Sequence, residues 1–490
     1  VTGRRRAAER VPRIASTAVS MCVLVHLWAS HRSAVSAASI PAWQWALLAA
    51  GECALLLMML ARPVLFRVRD FRLPGLAVTA VGLMVLVPLP WVVEAYGSSL
   101  PQTMMPALAL GAVGFGGTVL ALDRWATRSA GVPQHTHDPA AGRENRAAVW
   151  ILMCAVALLP VWLWILPSIP IASLLTGRAT GIAIATARYE SLRGLGGPLR
   201  VLIGAMRNVY LMFAVAWMFA DLGLARRTWR RYTRVARAAL AALALGSAFA
   251  LVTTERSLLG QLVAVATIAW LVSRRQELSY SMVAALAGAI AAFPLLFGFL
   301  LTGSASAAIE SVRRRLFFVP ADITAKYFAF FPDRHDFLHG SSIPKVGRLW
   351  GGATFDLSGY VYRTAYPLSP IRGNANGTFL GVGWANFGVA GVLLWCVVAA
   401  AALVAIERLL RYVPARTAAA LRGVAAVQAV FLSSADVTRT VLGVAPGFLD
   451  VVALTAALTW IARRRTVSAV ARQHQVADGA PQRRSMLQHS

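Results

Sequence analysis

Residues 381–405 read Gly381-Val-Gly-Trp-Ala-Asn-Phe-Gly-Val-Ala-Gly-Val-Leu-Leu-Trp-Cys-Val-Val-Ala-Ala-Ala-Ala-Leu-Val-Ala405, without one Asp, Glu, Lys or Arg. As a helix such a run crosses the ~30 Å hydrocarbon core of a bilayer. It has no period-two alternation, so it is not a barrel strand, and in lipid its backbone can bond to itself only as a helix. The whole chain has the same character. Its 490 residues are 58% hydrophobic and 14% charged, against about 45–50% and 25% in soluble domains. Comparable runs lie near 14–30, 43–60, 74–94, 103–122, 147–167, 199–219, 236–252, 257–273, 281–301, 417–434 and 447–462. The expectation is an all-α polytopic membrane protein with about 12 transmembrane helices.

Arginine placement orients them. Basic clusters fall at Arg4–Arg6, Arg62–Arg72, Arg124–Arg146, Arg226–Arg237, Arg274–Arg275, Arg408–Arg416 and Arg463–Arg465. All land on one side if every span is real, which makes that side and both termini cytoplasmic. The net charge of +28 then reports topology rather than a nucleic-acid partner. Arg4–Arg13, the apolar stretch after it and Ser33–Ser39 read as a signal anchor in preference to a cleaved signal peptide. The four cysteines fall inside the expected helices, where they could staple no external loop, and none shows zinc-ligand spacing.

The expected organisation is helices one to nine over 1–301, a large extracytoplasmic loop over 302–380, three further helices over 381–462 and a disordered basic tail over 463–490. The loop breaks the charge rule. It holds Arg313, Arg314, Arg315, Lys326, Arg334, Lys345, Arg348, Arg363 and Arg372 against Glu310, Asp322, Asp333, Asp336 and Asp356. An excess of cations on the external face points to an anionic ligand such as phosphate, pyrophosphate or an acidic sugar, with pairing inside the loop as the alternative. The loop is also rich in aromatics, and Ser311–Phe331 reads as an amphipathic helix with Pro320 as a break. Two more arginines cap helix mouths on that face: Arg256 in Thr253-Thr-Glu-Arg256, and Arg439, three residues after Asp436. Arg256, Arg315, Arg372 and Arg439 are expected to converge on one external cavity. Inside the spans, Glu52, Arg207 and Asn208 stand out, and Glu52 with Arg207 is the simplest pair.

Several chemistries are excluded. Neither lysine lies in a Walker-type phosphate loop, so this chain alone does not run on ATP. There is no Asp-x-Asp to hold a nucleotide-sugar metal, and His135-Thr-His137-Asp138 reads as solvated polar residues of a cytoplasmic loop. No metal and no cofactor are implied.

Arg314-Arg-Leu-Phe-Phe-Val-Pro320 and Tyr327-Phe-Ala-Phe-Phe331 resemble the start of the large loop in bacterial oligosaccharide repeat-unit polymerases, the O-antigen and capsule polymerases of the Wzy type. Asn374-Ala-Asn376-Gly-Thr-Phe-Leu-Gly-Val-Gly383-Trp-Ala-Asn386-Phe-Gly388-Val-Ala-Gly391 looks like that family's loop exit and following helix, with Val382 where an acidic residue often stands. The resemblance covers roughly residues 250–395. It implies transfer of a glycan from undecaprenyl diphosphate onto an incoming lipid-linked repeat unit in the bacterial inner membrane. The partners would be membrane lipids, a flippase and a chain-length regulator. Arginines suit the diphosphate leaving group. The substrate-binding candidates are Arg256, Arg314, Arg315, Tyr327, Arg348, Arg372, Asn374, Asn376 and Arg439. The attacking hydroxyl wants a base, and His335, Asp336 and His339 are the nearest catalytic candidates. A ligase using the same donor, an exporter or flippase of lipid-linked glycans, and an envelope scaffold are the competing readings.

The charge pattern predicts that His335 and Thr136 face opposite sides of the membrane. Single cysteines placed there should react with an impermeant thiol reagent from opposite faces of oriented vesicles, and reaction from one face would refute the helix count.

Overall fold

A computed structural model describes residues 41–62, 71–96, 100–128, 141–166, 169–175, 197–225, 229–252, 255–274, 303–343, 354–370, 373–411 and 413–434, with isolated positions between them. These residues are helical with connecting turns, and no strand occurs among them. In chain order the helices are α1 (Ala42–Ala61), α2 (Leu73–Val81), α3 (Leu89–Tyr96), α4 (Met104–Arg128), α5 (Ala141–Ile165), α6 (Pro170–Leu175), α7 (Gly197–Ala205) and α8 (Leu211–Leu224). There follow α9 (Trp229–Val252), α10 (Arg256–Ser273), α11 (Ala305–Arg313), α12 (Val319–Phe330), α13 (Leu357–Ala365), α14 (Phe379–Leu409) and α15 (Ala415–Phe431). Wider π-helical turns at Gly82–Leu86, Met206–Tyr210 and Arg314–Phe318 follow α2, α7 and α11.

Seven helices among the described residues are long and apolar enough to cross a membrane: Ala42–Ala61, Leu73–Val93, Met104–Arg124, Ala148–Ile165, Gly197–Leu224, Trp229–Val252 and Phe379–Leu409. Of the other expected spans, 14–30 and 447–462 lie outside the described residues, as does 281–301 apart from isolated positions. The remaining two are shorter helices: Ser257–Ser273 is apolar, and α15 has 17 residues that include Arg416 and Arg422.

Small residues let these helices approach closely, which suits packing in lipid, where apolar surface alone gives no drive to associate. A Cβ on Gly51 of α1 would lie 2.9 Å from the Ala109 Cα of α4, and one on Gly423 of α15 2.8 Å from the Val265 carbonyl oxygen of α10. Most buried charges are paired. Glu407 accepts from Arg72 Nη1 at 3.1 Å, from the Leu73 N–H at 3.0 Å and from Arg422 Nη2 at 2.9 Å. Arg416 of α15 meets Asp221 of α8 at 3.0 Å.

The expected Glu52–Arg207 pair does not form. Arg207 donates instead through Nη1 to Glu255 at 3.2 Å and through Nε to its neighbour Asn208 at 3.1 Å. The reason is topological. Glu255 sits at the turn between α9 and α10, and the π-helical turn at Met206–Tyr210 carries Arg207 to that end. Glu52 is 5% exposed, and its Oε1 has no hydrogen-bond partner among the described residues.

The reading of Ser311–Phe331 as one amphipathic helix also changes. The helix starts at Ala305, capped by Ser304, and widens over Arg314–Phe318, where the Val319 N–H donates to the Arg314 carbonyl. Pro320, which has no N–H to give, therefore enters in the first turn of the next helical segment and breaks nothing. Beyond it the helix is buried on nearly every side, including Ala321, Ile323, Thr324, Ala325, Lys326, Tyr327, Phe328 and Phe330.

The cover over α12 comes largely from α14. At 31 residues this helix would be about 46 Å long if straight, well beyond a ~30 Å core. It is divided at Phe387 (φ −143°, ψ 20°) and Gly388 (φ 60°, ψ −140°). The break takes the Ala385 and Asn386 carbonyls out of the helical ladder, and the Leu338 and His339 N–H groups bond to them at 3.0 and 2.9 Å. Asn386 is fully buried. It donates to the Val382 carbonyl at 2.8 Å and accepts from Ser342 Oγ at 2.9 Å. The Gly388 conformation lies where L side chains are strained, and a Cβ there would also press on the Phe337 ring at 3.3 Å. Gly388→Ala should therefore lower stability by about 1–3 kcal/mol, read as a fall in melting temperature in detergent; an unchanged value would show that the break does not need glycine.

Candidate functional site

Residues 331–343 form a turn-rich segment held between α12, α13 and the first part of α14. The Trp384 indole N–H donates to the Phe331 carbonyl at 2.7 Å, and its ring stacks on Phe328 at 4.6 Å. Together with the two backbone bonds to the α14 break, this fixes the segment at both ends.

His335 lies in the middle. Its ring is half-buried among Phe355 at 5.0 Å, Tyr360 at 5.3 Å and Phe331 at 5.6 Å. Nδ1 is 2.7 Å from the Asp336 carbonyl oxygen. A carbonyl can only accept, so Nδ1 carries a proton, and in the neutral ring the lone pair is then on Nε2. The arrangement leaves one nitrogen to act as an acceptor or base. The Asp336 side chain is exposed, as is His339, whose ring faces Phe387 at 6.4 Å. Neither side chain makes a hydrogen bond or ion pair among the described residues.

The loop exit is an extended segment whose alternation is visible residue by residue: Ala375 and Gly377 are buried, Asn374 and Asn376 exposed. Two tyrosines support it from below. Tyr327 is 1% exposed and donates to the Ala375 carbonyl at 2.9 Å; a Cβ on Gly377 would come within 2.8 Å of its ring. Gly373 lies against the Tyr362 ring. Tyr327, expected to bind substrate, therefore acts as a strut under the segment. The asparagines do not cap the next helix either. That cap is Thr378, whose hydroxyl accepts from the Gly381 N–H at 3.2 Å and from Thr324 Oγ1 at 3.2 Å. Helix α13 joins the two regions, with Tyr360 toward His335 and Tyr362 toward Gly373.

The loop's charges sort in two. Glu310 pairs with Arg313 at 2.9 Å and Asp322 with Lys326 at 2.8 Å, while Asp356 caps α13 through the Gly359 N–H. Arg314 and Arg315 on the π-helical turn are exposed and make no ion pair among the described residues, and exposed Arg334 lies over the Phe330 ring at 4.9 Å. Arg256 opens α10. Arg348, Arg372 and Arg439 lie outside the described residues, and with them two of the four arginines expected to converge.

A cluster absent from the sequence reading lies beneath. Tyr96, the last residue of α3, donates to Asp322 Oδ1 at 2.7 Å. Lys326 donates to Asp322 Oδ2 at 2.8 Å and to Tyr366 Oη at 2.9 Å, with its ammonium 4.4 Å from the Tyr366 ring centroid. Burial pushes the Tyr96 phenol up to about 12, helped by the Asp322 hydrogen bond and charge and opposed by Lys326. Burial pulls the Lys326 ammonium down, but its bonds to Asp322 and Tyr366 and the Asp322 charge outweigh that, leaving it above the ordinary lysine value. Both groups are raised, so their contribution is complete below about pH 10 and is lost only as pH climbs further. The spacing of Asp322 and Lys326, one helical turn apart, was the available signal.

The chain shows no match to known protein families, to curated proteins or to solved structures.

Cap and surface roles make separable predictions. Thr378→Ala should cost about 1 kcal/mol or slightly more and lower the melting temperature, while Asn374→Ala and Asn376→Ala should leave it unchanged. Equal losses in all three variants would contradict these roles.

Proposed function

We propose that the protein is a membrane glycosyltransferase that polymerises glycan repeat units carried on a lipid diphosphate, working on the extracytoplasmic face of a bacterial inner membrane. The observation that carries the reading is His335: its Nδ1 N–H donates to a backbone carbonyl, which in the neutral ring leaves the lone pair on Nε2, in a half-buried aromatic setting. This is what a base for a sugar hydroxyl requires. In the reaction, the hydroxyl of an incoming repeat unit attacks the anomeric carbon of the donor glycan. Its proton passes to His335 Nε2, the bond from the anomeric carbon to the diphosphate oxygen breaks, and the lipid diphosphate leaves with the electron pair. Arg314 and Arg315 are cations available to that leaving group, with Arg256, Arg348, Arg372 and Arg439 assigned alongside them by their places in the basic loop and at helix mouths. Exposed Asn374 and Asn376 offer amides that both donate and accept, suited to sugar hydroxyls. The activated donor makes ATP and nucleotide sugars unnecessary. A flippase and a chain-length regulator are the partners this chemistry would need, and both termini lie in the cytoplasm.

A second reading has an observation in its favour. An interrupted helix such as α14, together with a buried carboxyl such as Glu52, belongs to transporters as readily as to enzymes. That reading is an exporter or flippase of lipid-linked glycans.

Purified protein in lipid, given lipid-linked repeat units without ATP, should produce a ladder of glycan lengths. His335→Ala should slow it by about 10²–10⁴-fold. Asn374→Ala or Asn376→Ala should slow it by about tenfold for each 1.4 kcal/mol of transition-state stabilisation that the amide supplies. Failure to form any ladder, with movement of the lipid-linked unit across the bilayer, would replace the first reading by the second.

A further inference from the structure

Glu52 is the buried charge that the fold leaves unexplained. It lies at the centre of α1, one of the apolar spans, on the buried face formed by Gln44, Trp45, Leu48, Gly51, Glu52 and Leu55. The residue is 5% exposed, and Oε1 is fully enclosed with no hydrogen-bond partner among the described residues. Every other acid in the described spans or at their ends that is this buried has a cation: Asp221 has Arg416, and Glu407 has Arg72 and Arg422.

Among the described residues no cation is placed to serve Glu52. Its own helix carries no other charged residue. The helix packed along it, α4, has its charges at Asp123, Arg124 and Arg128 in the last turns, whereas Gly51 meets α4 at Ala109 near the start. Helix α2, which with Leu55 walls a small apolar void beside this face, has none, and the first charged residue of α14 is Glu407, already held by two arginines. The close Gly51–Ala109 approach brings the two helix backbones together one residue from Glu52. An ionised carboxylate here would be an uncompensated charge in a low-dielectric interior, which is far costlier than a neutral acid.

We propose that Glu52 is a proton-binding site of the membrane-embedded helices, loaded in the resting protein and exchanging its proton with water when α1 separates from α4. The ligand is the proton itself, and Gln44, two turns away with both amide atoms buried and unpartnered among the described residues, is a further polar group on the face along which the proton would travel. The proposal does not depend on glycosyl transfer and holds for either functional reading.

The test uses the full chain in lipid discs with Cys53→Ser, which removes the exposed neighbouring thiol. An apolar carbodiimide, dicyclohexylcarbodiimide, adds to protonated carboxyls in apolar surroundings. The carboxyl proton moves to a reagent nitrogen, the carboxylate oxygen bonds to the central carbon, and acyl transfer from oxygen to nitrogen gives a stable acylurea with no leaving group. Mass spectrometry of the peptide containing Glu52 should show one adduct at mildly acidic pH. The adduct should fall about tenfold for each pH unit above the range in which the site empties. Glu52→Gln should remove it while leaving the melting temperature unchanged, because the amide has the shape of the protonated acid. Three results would overturn the proposal: no adduct at any pH from mildly acidic to mildly alkaline, an adduct that does not vary with pH, which marks a sealed carboxyl, or equal reaction with a water-soluble carbodiimide, which places Glu52 in water.

Discussion

The interruption of α14 organises the end of the molecule that carries the candidate site. A helix in lipid keeps every backbone group bonded to itself, and opening it is tolerated only where something else accepts the bonds. At Phe387 and Gly388 the ladder opens, and two consecutive N–H groups from a segment about fifty residues earlier, those of Leu338 and His339, take the Ala385 and Asn386 carbonyls. The segment and the helix are thereby one hydrogen-bonded unit. Trp384 can reach the Phe331 carbonyl, and His335 between these two anchors holds its place among Phe331, Phe355 and Tyr360.

Charge follows a consistent division. Where a cation is buried it has an acid: Arg207 with Glu255, Lys326 with Asp322, Arg416 with Asp221. On the exposed polar segment Arg313 pairs with Glu310, but Arg314, Arg315 and Arg334 have no acid among the described residues. The first group is the cost of placing charge in a poorly polarisable interior, and it holds helices together. The second group is available to anions. Glu52 belongs to neither: it is buried, and no cation pairs with it among the described residues.

Seven of the spans were legible because hydropathy over about twenty residues is a property of sequence alone, and the helices at 42–61, 73–93 and 379–409 begin and end within a few residues of expectation. Partnership was less legible. Glu52 and Arg207 look like partners by depth, yet rotation about each helix and the π-helical turn at 206–210 decide which way Arg207 points. Pro320 reads as a helix breaker by its chemistry, and only the wider turn ahead of it removes the conflict. Tyr327 and the two asparagines were expected together at the substrate site but part company in the fold: Tyr327 is a buried strut on α12, while Asn374 and Asn376 reach the surface because the extended backbone there alternates its side chains. The link from Tyr96 to Asp322 joins residues 226 positions apart, and nothing local announces it.

The burial of α12 also sets an order of assembly. Its walls are Tyr96, made early in synthesis, and the 379–386 part of α14, made some fifty residues after α12 itself. Until residues 378–386 are made, Phe328 has no Trp384 to stack on and Thr324 no Thr378 to bond with. A chain that stopped before residue 378 would therefore lack both of these partners of α12.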